Sequence, residues 1–231
     1  MQTTQQKLET QEDKRDIKID NVISINEITV LEQKRKVNIN YSDLAENIIN
    51  VFFALILLTI TLPILLFSGI MIKVSSKGPI FYSQVRIGIN NKKFKIYKLR
   101  TMRIDAEKNG AKWATVNDPR ITKVGKFLRK TRIDELPQLI NIIKRDMNFI
   151  GPRPEREVFA NEFIKINNDF SLRTKVRPGL TGLAQIEGGY DLNFEEKLHY
   201  DLKYIESKNI KMDFHIVIRT IRVILTGEGA R

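Results

Sequence analysis

The sequence predicts an α+β fold that is mostly helical and organised around one membrane helix. Residues 51–72 contain no charged side chain, a run of about 20 residues that is long enough to cross a bilayer. Two short segments of alternating character, residues 80–85 and 94–99, predict a small β-hairpin. Apolar residues at helical spacing after residue 118 predict amphipathic helices, which can lie in a membrane interface. We therefore expect the hairpin and these helices to surround a site at the membrane surface.

The charge of the chain is unevenly distributed. The 231 residues carry a formal net charge of +12, yet the first 50 hold seven Lys/Arg against nine Asp/Glu, so the remainder carries all of the positive excess. A basic body favours an anionic partner, which leaves nucleic acid, anionic lipid or a phosphorylated substrate. The chain contains no cysteine, which excludes thiol catalysis, disulfides and cysteine–zinc sites.

Residues 1–42 predict a disordered or variable N-terminal tail. The first 20 residues are polar and show no apolar period, as is typical of disordered segments. They lack a basic start followed at once by an apolar run, so no signal peptide is predicted.

The predicted membrane helix, residues 43–73, contains Pro63. Proline removes a backbone donor and clashes with the preceding turn, so we expect a kink there. Residues 73–100 follow with eight Lys/Arg and no acidic residue, which is typical of the cytoplasmic side of a membrane helix. We expect a re-entrant helix that leaves by the face it entered, with residues 74–231 forming a cytoplasmic domain at the interface. A single crossing with the N-terminus outside is the alternative.

The remaining elements follow from local signals. Asn90-Asn91 is a turn signal between the two strands, and residues 103–118 are polar and loop-like. A basic amphipathic helix is predicted to begin at Asp118-Pro119. Further helices are predicted at residues 159–166, 195–205 and 212–225.

The stretch Asp134-Glu135-Leu136-Pro137-Gln138-Leu139 places two adjacent carboxylates where a helix is predicted to begin. Pro137 suits the first helical turn, and one buried face is predicted from Leu136, Leu139, Ile140, Ile143 and Met147. The positive end of the helix would keep both carboxylates ionised, so that one can attack or bind a metal ion. Surrounding basic residues indicate a phosphorylated substrate and a divalent metal. An ordinary N-cap with solvated lysines is the alternative.

Two arginines lie in stiff turns farther along the chain. Arg153 lies between prolines in Gly151-Pro152-Arg153-Pro154-Glu155, and a rigid arginine suits bidentate phosphate binding. An exposed arginine in a stiff turn is the alternative. Arg177 lies in a second turn, Arg177-Pro178-Gly179-Leu180-Thr181-Gly182.

With these segments identified, the chain resembles the bacterial sugar transferase family, the monotopic polyprenyl-phosphate phosphoglycosyl transferases. Residues 43–231 carry the family's motifs in order. The motifs are the apolar segment with Pro63, Ser76-Lys77-Gly78-Pro79, Lys95-Ile96-Tyr97-Lys98-Leu99-Arg100-Thr101-Met102, Asn117-Asp118-Pro119-Arg120, Asp134-Glu135-Leu136-Pro137-Gln138-Leu139, Gly151-Pro152-Arg153-Pro154-Glu155 and Arg177-Pro178-Gly179-Leu180-Thr181-Gly182-Leu183-Ala184-Gln185. One such motif is weak, whereas the ordered set is specific.

The resemblance implies an enzyme that transfers a phosphosugar from a UDP-sugar to polyprenyl (undecaprenyl) phosphate and releases UMP. This is the first membrane step of exopolysaccharide, capsule or other glycoconjugate synthesis. The resemblance assigns Asp134 as the nucleophile that forms a covalent phosphosugar intermediate and Glu135 as a ligand of Mg²⁺. Basic family residues near the phosphates correspond to Lys98, Arg129 and Arg153.

The resemblance also implies a location on the cytoplasmic face of the bacterial inner membrane, in contact with membrane lipids. Asp201 matches a family aspartate in the helix after the turn that carries Arg177, and both are further candidates for the site. Family members place a serine before the kink proline, whereas Leu62 precedes Pro63 here, and the Thr61 hydroxyl is a candidate replacement. The resemblance does not decide whether the protein binds glycan-assembly partners or forms a homodimer.

The alternative function is a non-enzymatic membrane-anchored module that binds anionic lipid or a polysaccharide-assembly partner. Such a module would not need the intact acidic pair. No nucleic acid partner is expected, because the basic residues adjoin a membrane segment and no nucleic-acid motif is recognisable. The sugar stays open among glucose, galactose and N-acetylated or diamino sugars.

Overall fold

The long apolar segment forms one helix, α1, which spans Tyr41–Ser75 in the computed structural model. The structure describes residues 41–108, 110–115, 118–189 and 191–226. All but the last two residues of the predicted tail therefore lie outside the described residues, and those two already belong to α1. An 18-residue window within Leu44–Ser75 has a mean hydropathy of 2.6, and the helix is long and apolar enough to cross a membrane. It continues through Pro63 as a single element, so the kink and the re-entrant path stay predictions.

Although most of α1 is exposed, one stripe of it is built into the protein core. Ala54 is fully buried against Ile96 of the hairpin and against Leu139 and Ile142, which follow the acidic pair. Leu65 and Ile72 are buried in a second apolar cluster together with Leu99 and Leu128. The membrane helix is therefore a structural part of the domain that follows it.

Both ends of α1 are also held by polar contacts to that domain. Near its start, Glu46 accepts hydrogen bonds from Lys208 Nζ at 2.6 Å and from Asn148 Nδ2 at 2.8 Å. Just after its end, the Arg100 guanidinium donates to the Ser76 carbonyl at 2.9 Å. The two ends of the apolar helix thus dock on the same folded body.

The predicted β-hairpin is present and slightly longer than expected. Strands β1 (Phe81–Ile87) and β2 (Lys93–Leu99) pair in antiparallel register, with Tyr82 opposite Lys98. The turn contains a 3₁₀ segment, Ile89–Asn91, in which Asn90 and Asn91 have φ of 51° and 59°. Asparagine tolerates this left-handed conformation better than most residues, so the turn prediction is confirmed for its stated reason.

Helix α2 spans Lys123–Lys130, and the prediction that it begins at Asp118 is wrong. The Asp118 carboxylate instead accepts a hydrogen bond from the Arg120 backbone N–H at 3.0 Å and further bonds from its guanidinium. This local turn competes with helix formation. The helix begins after Thr122, whose hydroxyl accepts from the Gly125 N–H at 2.9 Å as an N-cap.

The acidic pair lies in a 3₁₀ segment, Ile133–Gln138, and not at the start of an α-helix as predicted. Arg132, at φ 57°, turns the chain into this segment. The α-helix that follows, α3, is only Leu139–Ile143. The predicted buried face is confirmed for Leu139 and Met147 but is wrong for Ile140, which is 38% exposed.

The structure contains two short strands that the sequence analysis does not predict. Strand β3 (Asn148–Ile150) pairs in parallel with β4 (Gly179–Thr181). A Cβ atom at Gly179 would collide with the Gly151 backbone, so the two chain segments approach at backbone contact. This pairing brings the turn that carries Arg153 beside the turn that carries Arg177.

The rest of the chain is helical and completes the main core. It contains α4 (Glu157–Ile166), a 3₁₀ segment (Asn168–Lys175), α5 (Leu183–Glu187), α6 (Phe194–Ser207) and α7 (Ile210–Thr226). Helix α7 exposes a row of large apolar side chains, including Phe214 at 65% and Ile221 at 53%. The predicted class, α+β and mostly helical with one long apolar helix and a small hairpin, is confirmed.

Candidate active site

The two adjacent carboxylates are buried beneath the hairpin. Asp134 is 5% exposed and Glu135 is 9% exposed. The 3₁₀ segment that carries them packs against β2. The loop after β3, residues 151–155, also reaches this segment, and the pairing of β3 with β4 holds the start of that loop. Charged side chains are rarely buried to this degree without a compensating partner, so their surroundings decide what they can do.

Glu135 is held by two cations that come from separate parts of the chain. Its Oε1 atom accepts from Lys98 Nζ at 2.7 Å and from Arg153 Nη2 at 2.6 Å. Burial acts to raise the pKa of Glu135, but the charges of Arg153 and Lys98 outweigh it and hold that pKa well below its usual range. Glu135 is therefore ionised at neutral pH.

Asp134 lies in a different electrostatic environment. Burial raises its pKa to about 6, partly opposed by the charge of Lys98 and reinforced by that of Glu135. No hydrogen bond to the Asp134 carboxylate is found among the described residues. The expected cause of their ionisation, the positive end of an α-helix, is wrong, because the pair lies in a 3₁₀ segment and burial is the largest influence on the pKa of Asp134. It is ionised for the most part at pH 7 and loses its charge in mild acid.

Arg129 approaches the pair from α2. Its Nε atom donates to the Thr101 hydroxyl at 2.8 Å, and its charge acts to lower the pKa of Asp134. Three of the predicted basic residues, Lys98, Arg129 and Arg153, are thus brought to the acidic pair from β2, α2 and the loop after β3. A cluster of cations around two carboxylates suits a substrate with several phosphate oxygens.

Arg177 is not part of this cluster. Its guanidinium donates to the Asn47 side chain near the start of α1. Arg177 therefore contacts the membrane helix and not the acidic pair, which indicates a structural role.

Asp201 reaches the site only through another residue. It is 1% exposed and accepts from Arg173 Nε at 2.7 Å. Burial raises the pKa of Asp201, opposed by the charge of Arg173. Arg173 Nη2 in turn donates to the backbone carbonyl of Arg153 at 2.9 Å. Asp201 therefore fixes Arg173, which fixes the loop that presents Arg153.

A second buried carboxylate supports the same loop and was missed by the sequence. Glu155 is 5% exposed and pairs with Lys197 of α6 and, at 4.0 Å, with Arg86 of β1. Burial acts to raise the pKa of Glu155, but the charge of Lys197 lowers it to about 2. Arg86 also donates to the Pro154 carbonyl at 3.1 Å. Arg86 belongs to the basic run at residues 73–100, which the sequence analysis interprets as a whole as the cytoplasmic flank of the membrane helix.

The acidic pair offers few ligands for a metal ion. No group of three His, Cys, Asp or Glu side chains that could hold one occurs in the part of the chain that the structure describes. Two adjacent carboxylates still match the usual magnesium donor set of one or two carboxylates completed by water and substrate phosphates. The residues present therefore fit Mg²⁺ bound together with a phosphorylated substrate.

The comparison with protein families decides what kind of chain this is. The model described as "Bacterial sugar transferase" matches residues 41–227. The chain belongs to the bacterial sugar transferase family. The resemblance carried by the ordered motifs is thereby confirmed, and the matched residues cover every helix and strand described above.

Three curated relatives of this sugar transferase have informative names. UDP-N-acetylgalactosamine-undecaprenyl-phosphate N-acetylgalactosaminephosphotransferase of Aeromonas hydrophila is 42% identical over 185 residues, 79% of this chain and 44% of that protein. A Bacillus subtilis protein named putative undecaprenyl-phosphate N-acetylgalactosaminyl 1-phosphate transferase is 53% identical over 118 residues, 51% of this chain and 66% of that protein. Galactosyl transferase CpsE of Streptococcus agalactiae is 41% identical over 166 residues, 67% of this chain and 36% of that protein. The match thus spans between 36% and 66% of these relatives' own lengths.

Proposed function

We propose that this sugar transferase moves a sugar 1-phosphate from a UDP-sugar to polyprenyl phosphate, with undecaprenyl phosphate as the acceptor, and releases UMP. The observation that carries the proposal is the convergence of Lys98, Arg129 and Arg153 on two buried carboxylates. The names of the relatives, which act on undecaprenyl phosphate, support the acceptor.

In the first half of the reaction, the Asp134 carboxylate attacks the phosphorus that bears the sugar. A bond forms between Asp134 and phosphorus, and the bond from that phosphorus to the bridging diphosphate oxygen breaks. UMP leaves with the bonding electron pair. An aspartyl phosphosugar remains, and splitting the transfer into two displacements is the advantage of a carboxylate nucleophile.

The cations around the pair stabilise this step. Lys98 and Arg153 bond to Glu135, the neighbour of Asp134, so they are available to neutralise charge that develops on a diphosphate bound there. Glu135 would hold Mg²⁺, with Asp134 as the adjacent carboxylate. When bound, this ion supplies further neutralisation of the diphosphate and fixes its orientation.

In the second half, a phosphate oxygen of the polyprenyl phosphate attacks the same phosphorus. The bond to Asp134 breaks and returns its carboxylate, which completes the lipid diphosphate sugar. The acceptor needs no separate base, because its phosphate is already anionic near neutral pH. The site should therefore lie at the level of the lipid headgroups, on the cytoplasmic face of the inner membrane.

The names of the relatives suggest which donor sugar to test first. The two relatives described above with the highest identity are named for N-acetylgalactosamine, whereas a third is named a galactosyl transferase. We propose UDP-N-acetylgalactosamine as the first donor to test, within a panel that also contains UDP-galactose and UDP-glucose.

The decisive experiment follows UMP release and the mass of the protein. Full-length protein in detergent, mixed with donor and Mg²⁺ but no acceptor, should release UMP once and gain the mass of one phosphosugar on a peptide containing Asp134. Asp134→Asn is nearly isosteric and should lower turnover by about 10⁴-fold or more, the range found when other covalent nucleophiles are removed. Normal turnover by this variant would reject Asp134 as the nucleophile.

The same assay separates the enzyme from the non-enzymatic alternative. A membrane-anchored module that only binds lipid or an assembly partner would release no UMP from any donor of the panel. UMP release that begins only after the acceptor is added, without an adduct, would instead indicate direct transfer.

A further inference from the structure

One face of the membrane helix follows strand β3. Glu46, Asn50 and Ala54 of α1 are spaced four residues apart, so they lie on the same side of the helix. Glu46 accepts from the Asn148 side chain at 2.8 Å. Asn50 Oδ1 accepts from the backbone N–H of Phe149 at 2.9 Å, and the Phe149 side chain packs against the cluster that contains Ala54. The first turns of α1 therefore contact successive residues of β3.

The bond to Asn50 gives the Phe149 N–H an acceptor from outside the sheet. Asn148 and Ile150 are the residues of β3 that pair with β4, and Phe149 lies between them. A backbone N–H that is shielded from water needs an acceptor, because leaving it unpaired costs about as much as a lost hydrogen bond. Asn50 therefore takes the place of a neighbouring strand at this point of β3.

The Asn50 side chain is itself held in one orientation. Its Nδ2 atom donates to the Glu46 backbone carbonyl, one helical turn earlier, at 2.8 Å. A carboxamide has one end that donates and one that accepts, so this bond leaves Oδ1 as the end that faces β3. Both ends of the side chain are thus used, one within α1 and one across to the strand.

Hydrogen bonds also hold the backbone between Phe149 and Arg153. The Gly151 N–H donates to a carbonyl of β4 at 2.9 Å, and the Pro152 carbonyl accepts from an N–H of β4 at 3.0 Å. Arg153 follows directly, and its guanidinium donates to Glu135 at 2.6 Å. Because prolines stand on both sides of Arg153, the loop has little freedom to absorb a displacement of β3. A shift at Phe149 would therefore move Arg153.

We propose that Asn50 is a positioning residue for Arg153. Its bond to the Phe149 N–H fixes β3 against the membrane helix, and β3 in turn fixes the guanidinium that meets the diphosphate of the donor. This inference rests on the proposed function, since that function assigns Arg153 to the donor. It follows that the donor site is complete only when α1 is seated on β3, although α1 itself does not contact the acidic pair through Asn50.

Binding of UDP in the presence of Mg²⁺ tests whether Asn50 acts through Arg153. Asn50→Leu is similar in size and removes the acceptor, and it should weaken UDP binding by about tenfold, less than a 1 Å misplacement can cost. In an Arg153→Ala background the same substitution should have no further effect, because the residue through which it acts is gone. Calorimetry on full-length protein in detergent measures all four affinities. Equal losses in both backgrounds, or no loss in either, would overturn the proposal.

Two further variants show whether the bond itself is responsible. Asn50→Asp retains an oxygen acceptor for the Phe149 N–H and should recover most of the UDP affinity. Thr59→Val is the control, because the Thr59 hydroxyl donates to the Leu55 carbonyl of its own helix at 2.9 Å, and it should leave UDP binding unchanged. A loss in Asn50→Asp as large as that in Asn50→Leu, or an equal loss in Thr59→Val, would reject the bond as the cause.

Hydrogen exchange without any substrate separates this inference from the proposed function. In full-length protein in detergent, a peptide that covers residues 147–153 should exchange faster in Asn50→Leu than in wild type, and Thr59→Val should match wild type. Unchanged exchange in Asn50→Leu would show that Asn50 does not hold the loop, whatever the substrate is. If wild-type protein released no UMP from any donor, the proposed function would fail, while the exchange result would still decide whether Asn50 fixes the position of Arg153.

Discussion

At the scale of single residues, the two carboxylates differ in their direct partners: two cations bond to Glu135, whereas no hydrogen bond to the Asp134 carboxylate is found among the described residues. Glu135 bonds to Lys98 and Arg153, whereas burial is the largest influence on Asp134 and raises its pKa to about 6. Environments that push two neighbouring pKa values apart give the groups separate roles. The ionised form of Asp134 is the form that can attack phosphorus.

This difference predicts the pH dependence of the first half-reaction. UMP release with donor alone should fall as the pH drops through about 6, because Asp134 becomes protonated, while Glu135 stays ionised throughout that range. Initial UMP bursts between pH 5 and 8 measure this. A burst rate that stays constant down to pH 5 would contradict it.

The same pKa predicts a change in stability. A carboxyl whose pKa is raised on folding stabilises the protein at low pH, and that contribution is lost as the pH rises through the folded-state pKa. Asp134→Asn removes this loss, so its Tm relative to wild type should increase from pH 5 to pH 7.5. Scanning fluorimetry in detergent measures the difference.

The shared bonds of Glu135 predict that metal and nucleotide bind together. Without Mg²⁺, the negative charge of Glu135 competes with a diphosphate for Lys98 and Arg153. Glu135→Gln removes that charge and should tighten metal-free binding of UDP by about tenfold, since a hydrogen bond to a charged group contributes about 1.5–3 kcal/mol. With Mg²⁺ present, the same variant should lose activity, and higher Mg²⁺ should partly restore it.

Calorimetric titration with UDP in the presence of a chelator measures this effect. Glu195→Gln is the control, because it removes a carboxylate from an exposed position of α6. Metal-free UDP affinity in Glu135→Gln that is equal to or weaker than that of wild type would show that Glu135 does not compete for the cations.

At the scale of the elements, a buried ion pair joins α6 to the loop that carries Arg153. Arg173 bonds to Asp201 on one side and to the Arg153 carbonyl on the other. Removing one partner of a buried pair costs about 3–5 kcal/mol, because the other charge is left without compensation. Asp201→Asn should therefore lower the Tm and also raise the KM for the donor.

A double variant separates the two effects. Replacing the pair by apolar residues, Arg173→Met with Asp201→Leu, should recover much of the stability, since buried ion pairs are often replaceable by packed side chains. It should not recover the donor KM, because the bond to the Arg153 carbonyl is still missing. Recovery of both would show that the pair has only a structural role.

The sequence predicted most of these elements but not how they meet. The hairpin and the longer helices have clear periodic patterns, and their predictions are confirmed. The acidic pair was assigned to an α-helix because Pro137 and the apolar spacing suit one, and local spacing does not distinguish a 3₁₀ turn followed by one short helix. Strands β3 and β4 have three residues each, too few for a periodic signal.

The site was predictable to a similar extent. The motif order identified the acidic pair and the three cations near it, and the structure brings these five residues together. The partners of Asp201 and Arg177 depend on which distant segments pack together, and a single sequence does not contain that information. Arg173 carried no local signal, since one arginine in a polar segment is unremarkable until its neighbours are known.

At the scale of the whole molecule, the contacts of α1 bear on its path through the membrane. A straight helix of 35 residues would be about 52 Å long, at about 1.5 Å per residue. Both of its ends dock on the same charged body, through Glu46 at one end and through Arg100 at the other. If α1 crossed the bilayer perpendicular to its plane, the charged domain bound to both of its ends would have to enter the hydrocarbon layer. We therefore expect both ends of α1 on the cytoplasmic side.

Single cysteines test this path, because the natural chain has none. One is placed at Ser42 and another at Ser76, and intact cells are treated with a membrane-impermeant thiol reagent. Neither should react until the cells are opened. Labelling of the first position alone in intact cells would establish a single crossing. Pro63→Ala should straighten the helix and expose the first position outside in a fraction of molecules.

The burial of Ala54, Leu65 and Ile72 means that α1 is more than a tether for the domain it precedes. A protease that cut the chain after Ser75 would remove side chains from two apolar clusters, one with Ile96 and Leu139 and the other with Leu99 and Leu128. The remaining fragment would expose the underside of the strand that carries Lys98. Cleavage would therefore destroy the site instead of releasing a working soluble fragment, so a cell could switch this protein off by proteolysis but could not shed it in active form.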